Sequence, residues 1–407
     1  LIKHQLESVT MNPTPRDHLS AEEAAEFLGV TKGTLYAYVS RGMLRSVQFD
    51  PSSRKRYYPL AQLQALKHRH SFRSDPDRAA AEVIEFGNPI LTTSISQITA
   101  TEHSYRGLNS SQLARERSFE QVAQFLWDGE LGDARPEWYE AIDEEAIAGL
   151  PDLPPLERMQ CLLPILEQQD LNGYATKPAV LVPSAIRVLL YLLRLSCGRP
   201  FDGSVARTLA RAWGADEKVL NALLVIVADH ELNIATFTAR CVASAGASLY
   251  QAVLAGLAAL QGYKHLQGQV TEALTFFREV LAEGEAEPVI RRWLRRSGTI
   301  PGFHNPYRRL YAGRDPRVEA LLQLHEGSER YALLTETVRL AEAATGEQAR
   351  VDFALACFEP LVALPEGSIF SLIGLGRTAG MIAHVMEQYG SERVIRPRAR
   401  YVPGAPS

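Results

Sequence analysis

The amino-acid sequence predicts a mainly α chain with a small basic module at its front, and three observations carry that prediction. From Ala80 onward, segments such as SFEQVAQFLWDGEL, VPSAIRVLLYLLRLS, FDGSVARTLARAWGA and KVLNALLVIVADHEL repeat apolar residues at the helical period. Runs that alternate with period two are scarce, so the body should hold only a trivial sheet; residues 82–99, with IEFGNPILTTSISQI, give the one hint of a short strand. Charge is also uneven: residues 1–73 hold 11 Lys and Arg against 6 Asp and Glu, and the remainder holds 32 against 41. A basic front on an acidic body points to a module with its own partner, and an anionic polymer suits it.

With 46% hydrophobic and 22% charged residues over 407 positions, the chain can bury a large core. Disorder, a collagen helix and a disulfide scaffold are excluded. No run offers about 18 consecutive apolar residues, the length of a bilayer span. The first ten residues, with Lys3, His4 and Glu7, lack the apolar stretch of a signal peptide, and Met11 is an alternative start. Cys161, Cys197, Cys241 and Cys357 stand singly, which reads as reduced thiols filling core positions in a cytoplasmic protein with no membrane partner.

In the front module, Ser20 and Glu23 match the S-x-x-E capping box, so a helix should begin there with Ala24, Ala25, Phe27 and Leu28 inward. Gly29 supplies a sharp turn, and Thr31 caps a second helix. Its Leu35, Tyr38 and Val39 face inward, leaving Lys32, Thr34, Tyr36 and Arg41 on another face. Two helices so joined have helix-turn-helix spacing. Beyond them, a turn at residues 50–53 separates two strand-like pieces and exposes Arg54, Lys55 and Arg56 as a basic wing. The run LSAEEAAEFLGVTKGTLYAYVSRGML resembles the excisionase-like and mercury-regulator-like winged helix-turn-helix families, which place the second helix in the DNA major groove. Such a fold also serves as a protein-docking element. The module is assigned to residues 1–72, with a Pro-containing, mixed-charge linker at 73–79.

Four clusters in the body could carry chemistry. ADHELN (228–233) ends an apolar helix, and burying Asp229, His230 and Glu231 together is costly unless they are used; a local histidine–carboxylate pair is the plain alternative. His265 follows the uncharged stretch 241–263, which reads as one close-packed helix. Residues 302–317, GFHNPYRRLYAGRDPR, are rich in groups that grip anions. The last cluster combines Asp352 in an apolar run, Arg377 within a helix and the basic tail from Arg396 to Arg400. No metal-ligand spacing occurs.

ADHELN, a histidine after a small-residue helix, PGF-H, DPR, VDFAL, LGRTAGMIAH and IRPRARY occur in this order over residues 83–404, and the combination resembles the citrate synthase family. The resemblance implies a two-domain helical fold: a large domain at 80–275 and 372–407, with a smaller domain at 276–371 that closes over substrate. It implies a homodimer that condenses oxaloacetate with acetyl-CoA or another short acyl-CoA, with the thioester as co-substrate and no permanently bound cofactor. Asp352 would be the base and His265 the donor to the thioester oxygen. His230 would hold oxaloacetate, Arg317, Arg377 and Arg396 would clamp its carboxylates, and Arg396 would come from the partner subunit. Gly302 and Phe303 would contact CoA. The family pattern GFGH is altered here, so the carbonyl-polarising group is either His304 or Asn305, and the glycines usual after the other histidine are replaced by Leu266 and Gln267. The alternative is a catalytically impaired oxaloacetate sensor coupled to DNA binding through residues 1–72.

Overall fold

The computed structural model describes residues 18–48, 55–60, 62–63, 66, 91–99, 101–303 and 315–399. They fall into two units, one within residues 1–91 and one within 92–407. The expected linker at 73–79 lies outside the described residues.

The first unit contains β1 (His18–Ser20), α1 (Ala21–Leu28), α2 (Lys32–Ser40) and β2 (Tyr57–Pro59). Both arms of the expected capping box form: Ser20 Oγ accepts from Glu23 N, and Glu23 Oε2 accepts from Ser20 N at 2.8 Å. Gly29 closes α1 in the left-handed region at φ 65°, and Thr31 caps α2. β1 and β2 pair antiparallel, and Val47 bridges Tyr57, so the strand-like pieces expected around the turn are reduced to this ladder. Ala24, Ala25, Leu35, Leu44, Tyr58 and Leu63 form the unit's own core. Phe27, Leu28, Tyr38 and Val39 pack against it half-buried.

In the second unit, a three-stranded antiparallel sheet of β3 (Ser96–Ile98), β4 (His103–Tyr105) and β5 (Leu108–Asn109) precedes the helices. These are α3 (Ser110–Glu116), α4 (Phe119–Asp128), α5 (Pro155–Gln169), α6 (Pro178–Cys197), α7 (Val205–Trp213), α8 (Glu217–Val227), α9 (Ile234–Ser244) and α10 (Leu249–Leu260). There follow α11 (Leu266–Glu283), α12 (Ala286–Ser297), α13 (Pro316–Gln323), α14 (Tyr331–Thr345), α15 (Val351–Ala356) and α16 (Ser368–Tyr389), with short helical turns between some of them. One continuous apolar core joins these helices. The sequence-based domain breaks at 275/276 and 371/372 fall inside α11 and α16 respectively.

Two expectations are corrected. The stretch 241–263 is not one helix: Gly246 turns the chain at φ 80° and Ser248 caps α10, which restarts the helix in a new direction. Nor are all four cysteines core residues, since Cys357 is buried but Cys161 is exposed.

α6 and α16 are long and apolar enough to cross a membrane, yet α16 is almost wholly buried in this unit. Its Gly376 and Gly380 lie one turn apart on the face that meets the end of α8. A Cβ at Gly376 would fall on Val227, and one at Gly380 on the Ala228 carbonyl and the Asp229 carboxylate. Gly380 N instead donates to Ala228 O at 3.0 Å, so the backbone after α8 rests directly on α16.

Candidate active site

The corner after α8 is the first piece of the site. Asp229 is fully buried and accepts from Glu231 N at 2.9 Å and from Ser96 Oγ of β3. His384 Nε2 of α16 lies 3.3 Å from its Oδ2. Burial alone would push this carboxyl up, but His384, Arg377 and Ser96 hold it below the usual carboxylate range. The local histidine–carboxylate pair considered from sequence is therefore replaced by a pair between the corner after α8 and α16. Glu231 takes φ 50°, a costly conformation for a non-glycine, and its N–H is held by both Asp229 and Ser96. Tyr105 of β4 fixes the same corner, its hydroxyl accepting from Asp229 N at 3.1 Å and reaching the Val225 carbonyl at 2.9 Å.

His230 is thereby aimed at Arg317, whose Nη2 lies 3.4 Å from His230 Nε2. Burial, and then the Arg317 and Arg377 guanidiniums, keep His230 neutral. Asp315 caps α13 and binds Arg317 through both oxygens, at 3.0 Å to Nε and 2.6 Å to Nη2. Arg377, buried midway along α16, donates from Nη2 to Thr236 Oγ1 at 2.9 Å and has Nη1 3.8 Å from Asp229 Oδ1. That Nη1 has no hydrogen-bond partner among the described residues. Thr236 stands in the first turn of α9, which Asn233 begins by accepting from Ala235 N and Thr236 N.

Asp352 and His265 form the second piece. Asp352 lies in the first turn of α15, 3% exposed, and Arg350 Nη2 approaches its Oδ2 to 3.0 Å. Burial raises its pKa, against the pull of Arg350 and then Arg317. His265 is the residue before α11, and its Nε2 is buried with no hydrogen-bond partner among the described residues. Burial, Arg377 and Arg350 lower its pKa to about 4, so at neutral pH it is an uncharged imidazole. Gly268 admits the turn before α11, because a Cβ there would fall on the Tyr263 carbonyl.

Of the other expected residues, His304, Asn305 and Arg54 lie outside the described residues. Arg396 is exposed in the tail after α16. Phe303 is buried against Phe353, with ring centroids 4.8 Å apart, so its ring belongs to the core and is not offered as a CoA contact. Gly302, at φ 81°, is required by Phe353, on which a Cβ would fall, and its carbonyl accepts from Arg350 N. In the first unit, Lys32, Tyr36, Arg41, Lys55 and Arg56 are exposed and Thr34 is half-buried. Lys32 is bound to Glu22, and Thr34 shares a hydroxyl contact of 3.0 Å with the cap Thr31.

Sequence reasoning did not single out His103, Ser96, Tyr105, Thr236, Arg350 or His384. His103 is 2% exposed, bonds Ser110 Oγ through Nδ1 at 2.9 Å, and stands edge-on to His230 at 6.2 Å between centroids. Burial, and then Arg317, lower its pKa to about 3. Besides ADHELN, the spacing of Gly376, Gly380 and His384 at every fourth position of α16 is a signal in the sequence for this seat.

Neutral histidines, buried guanidiniums and one desolvated carboxylate suit proton abstraction beside a bound anion. Among the described residues no group of His, Cys, Asp or Glu could hold a metal ion. The helix-turn-helix domain family matches residues 19–71, and the citrate synthase C-terminal domain family matches residues 86–398. Citrate synthase of Mycolicibacterium smegmatis is 30% identical, covering 76% of this chain and 92% of its own length. 2-Methylcitrate synthase 2 of Corynebacterium glutamicum is 27% identical over 76% of this chain and 91% of its own. Among solved structures, the fold is similar to Thermoplasma acidophilum citrate synthase in its ternary complex with carboxymethyl coenzyme A and oxaloacetate. That match has a TM-score of 0.67 and 20% identity, covering 80% of this chain and 97% of the other. The structure of Thermotoga maritima citrate synthase has a TM-score of 0.64 and 22% identity, covering 79% and 96%. With the helical body, the buried arginines and the family match all spanning the same residues, the chain belongs to the citrate synthase family.

Proposed function

We propose that the chain condenses oxaloacetate with a short acyl-CoA thioester, acetyl-CoA or a homologue, to give citrate or its homologue and free CoA. The observation that carries this reading is the desolvated Asp352 in a cluster with two neutral histidines and two buried arginines. Asp352 takes a proton from the carbon next to the thioester. The His265 N–H stabilises the oxyanion of the resulting enolate, a role for which an uncharged imidazole suffices. The enolate carbon then bonds to the ketone carbon of oxaloacetate, whose oxygen is polarised by a hydrogen bond from His304 or Asn305 and takes up a proton from His304 or, with Asn305 in that place, from water. Water cleaves the thioester and releases CoA.

Arg317 and Arg377 hold the oxaloacetate carboxylates, with His230 beside them and Arg396 contributed by a second copy in a homodimer. The residues around 276–371 close over the bound substrates and exclude water. The first unit docks on duplex DNA through the exposed face of α2 and the basic residues Arg54, Lys55 and Arg56. The protein works in the cytoplasm.

The experiment is release of CoA thiol by the purified chain with oxaloacetate and a panel of short acyl-CoA thioesters, against controls lacking oxaloacetate. Oxaloacetate-dependent release is expected, and the best thioester names the acyl group. No release from folded, dimeric protein across the panel overturns the reading.

A further inference from the structure

Arg350 is a guanidinium that none of the roles above uses. It precedes α15, and its side chain faces two partners: Nη2 lies 3.0 Å from Asp352 Oδ2, an ion pair without hydrogen-bond geometry, and donates to Gln269 Oε1 at 3.3 Å. Its backbone N–H donates to Gly302 O at 2.9 Å. One residue thus joins α15 to the first turn of α11, just after His265, and to the backbone at Gly302.

The ion pair is uneven. The Arg350 side chain is 20% exposed against 5% for Asp352, whereas Arg317 and Arg377 are 4% and 5% exposed. A guanidinium that keeps part of its hydration stabilises a buried carboxylate without the full cost of burying two ions. The other charges acting on Asp352 are Arg317 and Asp315 at the start of α13, and they bind each other at 2.6 Å, so their fields at Asp352 oppose. From α11 the titratable neighbour of Arg350 is His265, which is uncharged at neutral pH. Arg350 is therefore the dominant stabilising charge beside this carboxylate.

We propose that Arg350 is a positioning residue that keeps the buried Asp352 carboxylate ionised and aimed for proton abstraction. The inference rests on the reading of Asp352 as the base.

The test is the pH profile of kcat/KM for the thioester, measured on the full chain and on Arg350→Gln, Arg350→Met and Arg350→Lys. Loss of an opposite charge at this distance raises a carboxyl pKa by about one unit or more, so the acid limb should move up by that amount in the neutral variants. It should stay near its original place in Arg350→Lys, and oxaloacetate affinity by calorimetry should be unchanged in all three. An acid limb that does not move in whichever neutral variant folds overturns the inference, because a merely structural role lowers the rate at every pH alike. An acid limb in Arg350→Lys that moves as far as in the neutral variants overturns it too. If Asp352→Asn retains turnover, the assignment of the base fails and this inference with it. If Asp352→Asn is inactive and the Arg350 limb is unmoved, this inference fails alone.

Discussion

The two units use the same helix caps, but the ion pair between the helices of the first is exposed, whereas the pairs at the candidate site of the second are buried. In the first, Lys32 and Glu22 pair across α2 and α1 with side chains 49% and 70% exposed. In the second, Arg317 and Asp315 pair at 4% and 11%, and Asp229 is fully buried beside Arg377. An exposed pair is screened by water and salt and contributes little. A buried one leaves an uncompensated charge when either partner is removed, so its members fix geometry and ionisation. Charges on the first unit should therefore govern what it associates with, and the buried charges at the site of the second should govern reaction and folding together.

The sharpest way to break this contrast is Asp352→Asn. Turnover should fall by about 10²–10⁴-fold, the range for loss of a positioned base, while calorimetric binding of oxaloacetate is retained. Unchanged thiol release would remove Asp352 from the mechanism.

The pH dependence of stability comes next. His103 titrates at 6.5 in the unfolded chain and at about 3 when folded. Above pH 6.5 it is neutral in both states and has no effect. As pH falls from 6.5 toward 3 the unfolded chain takes up a proton that the folded one refuses, so stability drops through that window, by on the order of a few kcal/mol. Denaturant unfolding at several pH values should show this slope, to which the buried His230, His265 and His325 also contribute, and His103→Asn should make it shallower. An equal slope in the variant would assign the effect elsewhere.

A smaller effect is expected for Gly380→Ala. The added methyl must displace the Ala228–Asp229 backbone from α16, at about 1–3 kcal/mol for overpacking. A lower melting temperature with a raised KM for oxaloacetate is the expected pair of results; a lower melting temperature with unchanged KM would separate the helix seat from the site.

The smallest effect on folding belongs to the wing. Arg54, Lys55 and Arg56 changed together to Ala should leave the melting temperature nearly unmoved. Duplex binding in a salt titration should weaken, with the slope of log K against log salt falling by about one unit for each phosphate the wing no longer neutralises. Absence of salt-sensitive binding in the unmodified protein would end the DNA assignment.

Much of this fold is legible in the sequence because its determinants are local. The capping box at Ser20 and Glu23, the cap at Thr31 and the helical periodicity of α6 and α8 depend on residues a few positions apart. The break between α9 and α10 is hidden because small apolar residues run through it, and Gly246 and Ser248 signal a turn only weakly against that background. In the site, Asp352, His265, His230 and the arginines stand in ordered motifs. The pairing of these motifs is not written there: Ser96, outside them, reaches Asp229 across 133 positions, and His384, at the end of LGRTAGMIAH, reaches it across 155. Such pairs follow from packing, which no spacing rule encodes.

Arg377 rides in the middle of α16, and the hydrogen bonds on either side of it are sealed inside the unit's most deeply buried helix. Amide protons there can meet solvent only when the whole unit opens, so their exchange should report the global unfolding free energy. The carboxylate-holding role proposed for Arg377 would then be proof against local fraying of the helix that carries it. For the second unit, the slowest-exchanging amides and the last trace of ligand affinity should then vanish in a single transition.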